Sequence, residues 1–191
     1  RGITVGSSPI DVSHILREQL FEPTRSVVLT SATLSADGKF DFIKRRLGLD
    51  FEIEEECVSS PFSYPEQALL YLPKSMPDPR SERYIEASLH EVSRLVNLVG
   101  GGAFVLCTSY RVMHRLADTL KNELPFPTLV QGDAPKQLLL ERFREAGDAV
   151  LFATSSFWEG VDVPGAALRL VILDKLPFGV PTDPLIAARC R

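Results

Sequence analysis

The apolar positions in the second half of the chain fall into two alternating kinds of run. Ile85, Leu89, Val92, Val96 and Val99 step by four, three, four and three, the period of a helix with one buried stripe. Gly100-Gly-Gly102 stops that pattern, and a short unbroken apolar run follows over residues 103–107. Met113, Leu116, Leu120 and Leu124 return to helical spacing, with Thr108 or Ser109 placed to cap them. Residues 128–130 read as a short strand. Leu139, Phe143 and Ala146 mark a third helix, with Pro135 in its first turn and Gly147 just past its end. Apolar runs at 149–153 and 168–173 read as two more strands. Strands apolar on both faces, separated by amphipathic helices, predict an α/β fold: a parallel sheet with helices on both faces.

The first half is less regular. Ile10, Ile15, Leu16 and Leu20 lie near helical spacing, with Asp11 or Ser13 as cap and Pro23 as stop. The β-branched run at 26–30 predicts a buried strand, and residues 31–34 a loop. Phe40, Ile43 and Leu47 predict a short helix ending at Gly48. Residues 51–58 and 67–72 read as strands. A proline-containing stretch, residues 60–79, divides the two parts. Ligands of open α/β sheets bind beyond the carboxyl ends of the strands. Chemistry is therefore expected at residues 30–34, 108–111, 131–133, 154–162 and 174–183.

Composition narrows the class. The 191 residues are 45% hydrophobic and 24% charged, as in a globular protein with a real core. No apolar run approaches the roughly 20 residues that span a bilayer. The chain begins at Arg1 without a signal-peptide pattern, and is expected to be a piece of something longer. Three scattered cysteines, Cys57, Cys107 and Cys190, exclude a disulfide scaffold and fit a reducing cytoplasm. His14, His90 and His114 show no metal-ligand spacing, so no metal site is expected. There is no GxSxG elbow and no Walker A loop. The net charge of −4 excludes gripping nucleic acid by bulk charge. A nucleic-acid site must be local, built from amides, hydroxyls and a few basic residues.

Each strand-end segment has a chemical and a plain reading. Thr30-Ser-Ala-Thr-Leu34 places small hydroxyls where a relay between sites could run, or is an ordinary capped turn. Cys107-Thr-Ser-Tyr-Arg111 opens a helix, whose free amides suit phosphate. Thr108 and Ser109 would add hydroxyls, Arg111 a charge, and Tyr110 a face for a base; the plain reading is a cap and a core tyrosine. After Ala153 come Thr154 and Ser155, then Phe157-Trp-Glu-Gly-Val-Asp162. Gly160 permits a tight turn, and Asp162 could accept from a ribose hydroxyl. Trp158 is read as core packing. Asp174 and Lys175 end the last strand; as strand neighbours they are expected to face opposite ways.

In this order, Thr-Ser-Ala-Thr-Leu, Thr-Ser-Tyr, Gln131-Gly132, Phe-Trp-Glu-Gly-Val-Asp-Val-Pro-Gly and Asp-Lys-Leu-Pro-Phe, the motifs resemble one family. It is the DinG/XPD-like family of superfamily two DNA helicases, its bacterial DinG and YoaA branch in particular. The resemblance implies a RecA-like second motor domain and an ATP-driven enzyme moving 5′ to 3′ on single-stranded DNA, serving repair or the replication-stress response. Ser31, Ala32 and Thr33 match the motif that couples hydrolysis to DNA movement. Thr108, Ser109, Tyr110 and Arg111, with Thr154 and Ser155, would meet DNA. Glu159, Gly160 and Asp162 would face the nucleotide. The resemblance assigns residues 1–58 to the end of the first motor domain and 59–191 to the second, stopping before the arginine-bearing motif. ATP and Mg²⁺ would serve the parent protein, as would any iron–sulfur cluster, whose cysteines lie outside this stretch. The rest of the first motor domain would be a partner, the membrane would not, and the setting would be a bacterial cytoplasm at the nucleoid. The isolated piece should not hydrolyse ATP. The competing reading is a non-catalytic α/β module that binds nucleic acid or protein.

Overall fold

A computed structural model of the chain describes residues 6–178 and 183–189. Contacts divide the chain into two compact units, Arg1–Leu70 with Gly179–Arg191, and Tyr71–Phe178.

The first unit holds short helices: α1 (Ser13–Leu16), continued by a wider π turn over Arg17–Phe21, then α2 (Asp41–Leu47) and α3 (Tyr64–Gln67). Val12, not Asp11 or Ser13, holds the cap position of α1, and the Asp11 carboxylate accepts from the Ser13 N–H at 2.8 Å just ahead of it. Gly48 closes α2 in the left-handed conformation. The strands expected at 26–30 and 51–58 do not form, and neither does the one at 67–72, which runs into the second unit. Each of these stretches is extended or turned without a ladder. A strand exists only by exchanging hydrogen bonds with a neighbour, and among the described residues none lies beside them. Their apolar side chains stay in solvent: Val28 is 85% exposed and Leu69 92%.

The second unit is the α/β body. Its elements run α4 (Arg83–Val99), β1 (Ala103–Leu106), α5 (Tyr110–Leu120), β2 (Thr128–Val130), α6 (Lys136–Ala146), β3 (Val150–Ala153) and β4 (Leu170–Leu173). All pairings are parallel, in the order β2-β3-β1-β4. Ala103 sits opposite both Val150 and Leu170. A further helix, α7 (Pro184–Arg189), belongs to the first unit. Pro135 stands one place before α6 rather than inside its first turn, and α5 stops four residues short of Leu124, which is nonetheless buried.

Alternation along each strand builds two cores. Val105, Val150 and Phe152 pack with Val92 and Val96 of α4 and with Met113, Leu116 and Leu120 of α5. Phe104, Leu106 and Leu151 pack on the other face with Leu139, Leu140 and Phe143 of α6, and with Phe157. The glycines between α4 and β1 turn the chain tightly. Gly101 has φ +75°, and a Cβ there would lie 2.0 Å from the Asp148 carbonyl oxygen, so no other residue fits.

Candidate nucleic-acid edge

The connection after β1 leads into α5, on one face of the sheet; the connection after β3 leads into Phe157, packed on the other. Adjacent strands whose exits part to opposite faces leave a crevice at their carboxyl ends, the usual ligand position of an open α/β sheet. Thr108, Ser109, Tyr110 and Arg111 stand on one side of it, Thr154 and Ser155 on the other.

The β1 side is a helix start. Ser109 is extended, and its hydroxyl accepts from the Val112 N–H at 3.4 Å, which makes it the cap of α5. Thr108, Tyr110 and Arg111 are exposed; Tyr110 keeps 56% of its surface, which rules out a core role. His114 stacks beside Tyr110 with ring centroids 6.4 Å apart. Arg111 and Arg115 give the exposed side of α5 a local positive character that the whole-chain charge conceals.

Thr154 is buried, at 5% exposure, while Ser155 is open. The Thr154 N–H and hydroxyl both donate to Gln131 Oε1, at 2.7 and 3.0 Å. The Gln131 amide nitrogen donates to the Tyr110 hydroxyl at 2.7 Å. One side chain at the end of β2 therefore joins the segments after β3 and β1. Gln131 stands out in the sequence only as part of a Gln-Gly pair; its bridging needs three strand ends brought together.

Asp174, at the end of β4, closes the same edge. Its carboxylate accepts from the Thr108 N–H at 2.8 Å and from the Thr108 hydroxyl at 3.3 Å. Its side chain is only 2% exposed, and burial raises the carboxyl above its ordinary range, against the lowering effect of the Thr108 N–H and of Lys175. Lys175 Nζ stands 3.8 Å from Asp174. The expectation that the two side chains face apart is corrected: both lie past the end of β4, in a turn where strand alternation no longer holds. Tyr84 of α4 donates its hydroxyl to the Asp174 carbonyl. Beside them, burial pushes the Cys107 thiol up to about 12, so it stays protonated and inert.

The loop after β3 is held by α6. Lys136 Nζ donates to the carbonyls of Ser156 at 2.6 Å and Glu159 at 3.3 Å, and lies 5.3 Å from the centre of the Phe157 ring. Arg144, two turns on, donates to the Asp162 carbonyl at 2.7 Å. Trp158 is half-buried on the second core, with its indole N–H enclosed and unpartnered. The carboxylates of Glu159 and Asp162 are exposed on either side of Gly160, whose φ of +64° makes the turn. Sequence reading picked out these acids and missed the two cations that hold their backbone.

Ser31, Ala32 and Thr33 lie in the first unit, all exposed. The Thr33 N–H donates to the Ser31 hydroxyl at 3.2 Å, a local hydroxyl turn. Residues 179–182, within the last expected segment, and Cys190 lie outside the described residues.

Residues 92–191 match a family model described as the helicase C-terminal domain. The whole chain is 41% identical to 30% of the ATP-dependent DNA helicase YoaA of Escherichia coli strain K12. Over 96% of the chain it is 36% identical to 28% of the ATP-dependent helicase DinG of Mycobacterium tuberculosis strain H37Rv. Over 99% of the chain it is 33% identical to 21% of the 3'-5' exonuclease DinG of Bacillus subtilis strain 168. The chain thus spans less than a third of each of these relatives.

Proposed function

The chain belongs to the helicase C-terminal domain family, and from that premise we propose that it is the C-terminal motor segment of an ATP-dependent DNA helicase moving 5′ to 3′ on single-stranded DNA. The observation that carries the reading is the joined edge: Tyr110 after β1 is tied through Gln131 to Thr154 after β3, and Thr108 is tied to Asp174 after β4. A single strand of DNA presents phosphates and unstacked bases. Exposed hydroxyls, the free amides at the start of α5, Arg111 and an exposed Tyr110 meet both needs. Thr108, Ser109, Tyr110, Arg111 and Ser155 would touch the strand; Thr154, with its hydroxyl turned inward, would act by shaping the edge.

In this reading residues 1–58 end the first motor domain and 59–191 form the second. Ser31, Ala32 and Thr33 couple the nucleotide state to DNA movement. ATP, with Mg²⁺, is the substrate. Glu159 and Asp162 cannot cradle its phosphates, since carboxylates repel them, but they can accept from ribose hydroxyls or order water, and Gly160 brings the backbone close. Phosphoryl transfer also needs a phosphate loop and a cation for the developing charge. The sequence of this chain shows no such loop, so alone it should not hydrolyse ATP. Cys107, enclosed and protonated, would not serve as a ligand of an iron–sulfur cluster in the parent. Among the described residues no helix is long and apolar enough to cross a membrane; the bacterial cytoplasm, at the nucleoid, is the proposed setting, with DNA repair or replication stress as the task.

The test is Asp162→Ala in the intact protein. DNA-stimulated ATP hydrolysis should fall at least tenfold while affinity for single-stranded DNA changes less than twofold, the signature of a group acting on the nucleotide rather than on DNA. Equal losses in both would assign Asp162 a structural part. No hydrolysis by the unsubstituted protein would favour a binding module.

A further inference from the structure

We propose that Gln131 is a positioning residue that fixes Tyr110 as a hydrogen-bond donor for a phosphate oxygen of the bound strand. This rests on reading the edge as a single-strand DNA surface. The argument starts from what each partner can do. The Thr154 N–H can only donate, so the atom 2.7 Å from it must be the carbonyl oxygen of the Gln131 amide. The Thr154 hydroxyl, 3.0 Å from the same oxygen, donates as well. That choice leaves the amide nitrogen on the other side, 2.7 Å from the Tyr110 oxygen. A nitrogen bearing two hydrogens donates, so the phenolic oxygen accepts and its own proton is free.

The Tyr110 hydroxyl has no other partner among the described residues, and the residue is 56% exposed. Its free proton is thus available to an acceptor from outside. On a surface with the α5 amides and Arg111 beside it, that acceptor is a phosphate oxygen. The same amide prevents the phenol from donating inward, and it anchors the ring to a strand end that is itself buried. A shift of the segment after β3 would therefore move the donor.

The experiment is a double-mutant cycle in the intact protein, read by titration of a labelled oligothymidine at fixed salt. Tyr110→Ala, which removes ring and hydroxyl, should weaken binding roughly tenfold or more. Tyr110→Phe and Gln131→Met should each weaken it about fivefold, and the double variant no further, because both break one link. Unchanged binding in Tyr110→Ala would sink the DNA reading of the edge, and the inference with it. A loss in Tyr110→Ala with additive effects in the cycle, or with full affinity in Gln131→Met, would overturn the inference and leave the DNA reading standing. A residue that merely stabilises the fold would lower the melting temperature and weaken binding equally in both Tyr110 backgrounds. If Gln131→Met does not fold, Gln131→Ala, which admits water to the Thr154 N–H, replaces it in the cycle, with the same non-additivity expected and additivity again overturning the proposal.

Discussion

The two units of this chain carry similar apolar runs and do different things with them. Residues 26–30 and Ala103–Leu106 are both short, apolar and β-prone, yet the first is exposed backbone and the second is fully buried strand. Among the described residues, every buried apolar side chain except Leu49 belongs to the second unit. The difference lies in neighbours. β1 has β3 on one side, β4 on the other, and helices on both faces. A strand-like run states a capacity to be buried; the partners that use it must come from elsewhere in the fold.

The sharpest way to press this contrast is Phe143→Ala. Phe143 is fully buried and meets Phe104 edge to face, with centroids 4.7 Å apart. The cavity should cost about 3–5 kcal/mol in chemical denaturation. A loss below 1 kcal/mol would mean that the core under α6 is loose, and would weaken the distinction between the units.

Next in size is Asp174. Asp174→Ala leaves the Thr108 N–H without its acceptor and should cost about 1–3 kcal/mol. Asp174→Asn keeps an acceptor and removes the charge. The sign of the pH dependence follows from burial, which raises the carboxyl in the folded state. The folded protein then holds its proton more tightly than the unfolded chain, so this group's contribution to stability falls as pH rises from the ordinary carboxylate value through the raised one. Asp174→Asn should flatten that part of the stability curve. A parent curve rising with pH there, with the rise lost in Asp174→Asn, would show that Thr108 and Lys175 outweigh burial.

What could be read beforehand follows the same division. The helices of the second unit announce themselves because one face of each is buried along its length, and Gly100 and Gly147 close two of them with left-handed backbone. The strand-end rule located Thr108, Tyr110 and Thr154 on one edge. The joins between strand ends were hidden: Gln131 to Tyr110 spans 21 positions, and Asp174 to Thr108 spans 66. Neither has a local pattern, since each depends on parallel strands side by side in register. The missing strands of the first unit failed for the converse reason, a local pattern without its long-range partner.

A smaller effect tests how α6 holds the loop that carries Glu159 and Asp162. Lys136→Met removes the donor to the Ser156 and Glu159 carbonyls and the cation beside Phe157. These carbonyls lie near solvent and can be rehydrated, so the global loss should be only about 1 kcal/mol. Amide exchange should quicken over residues 155–162 while β1 and β3 stay protected. Uniform quickening across the sheet would show that Lys136 supports the whole body instead.

The smallest expected effect is Val28→Thr. Thr is nearly the same shape and also β-branched, so strand preference is almost unchanged and the substitution chiefly exchanges a methyl for a hydroxyl. At a buried position the hydroxyl would have to be dehydrated without a partner, at about 1–3 kcal/mol. At 85% exposure water serves both side chains alike, and the change in stability should stay within about 0.5 kcal/mol. Denaturant titrations of the two proteins should then overlay. A loss above 1 kcal/mol would mean that Val28 is covered in solution, and that the run at 26–30 has found the neighbours a strand requires.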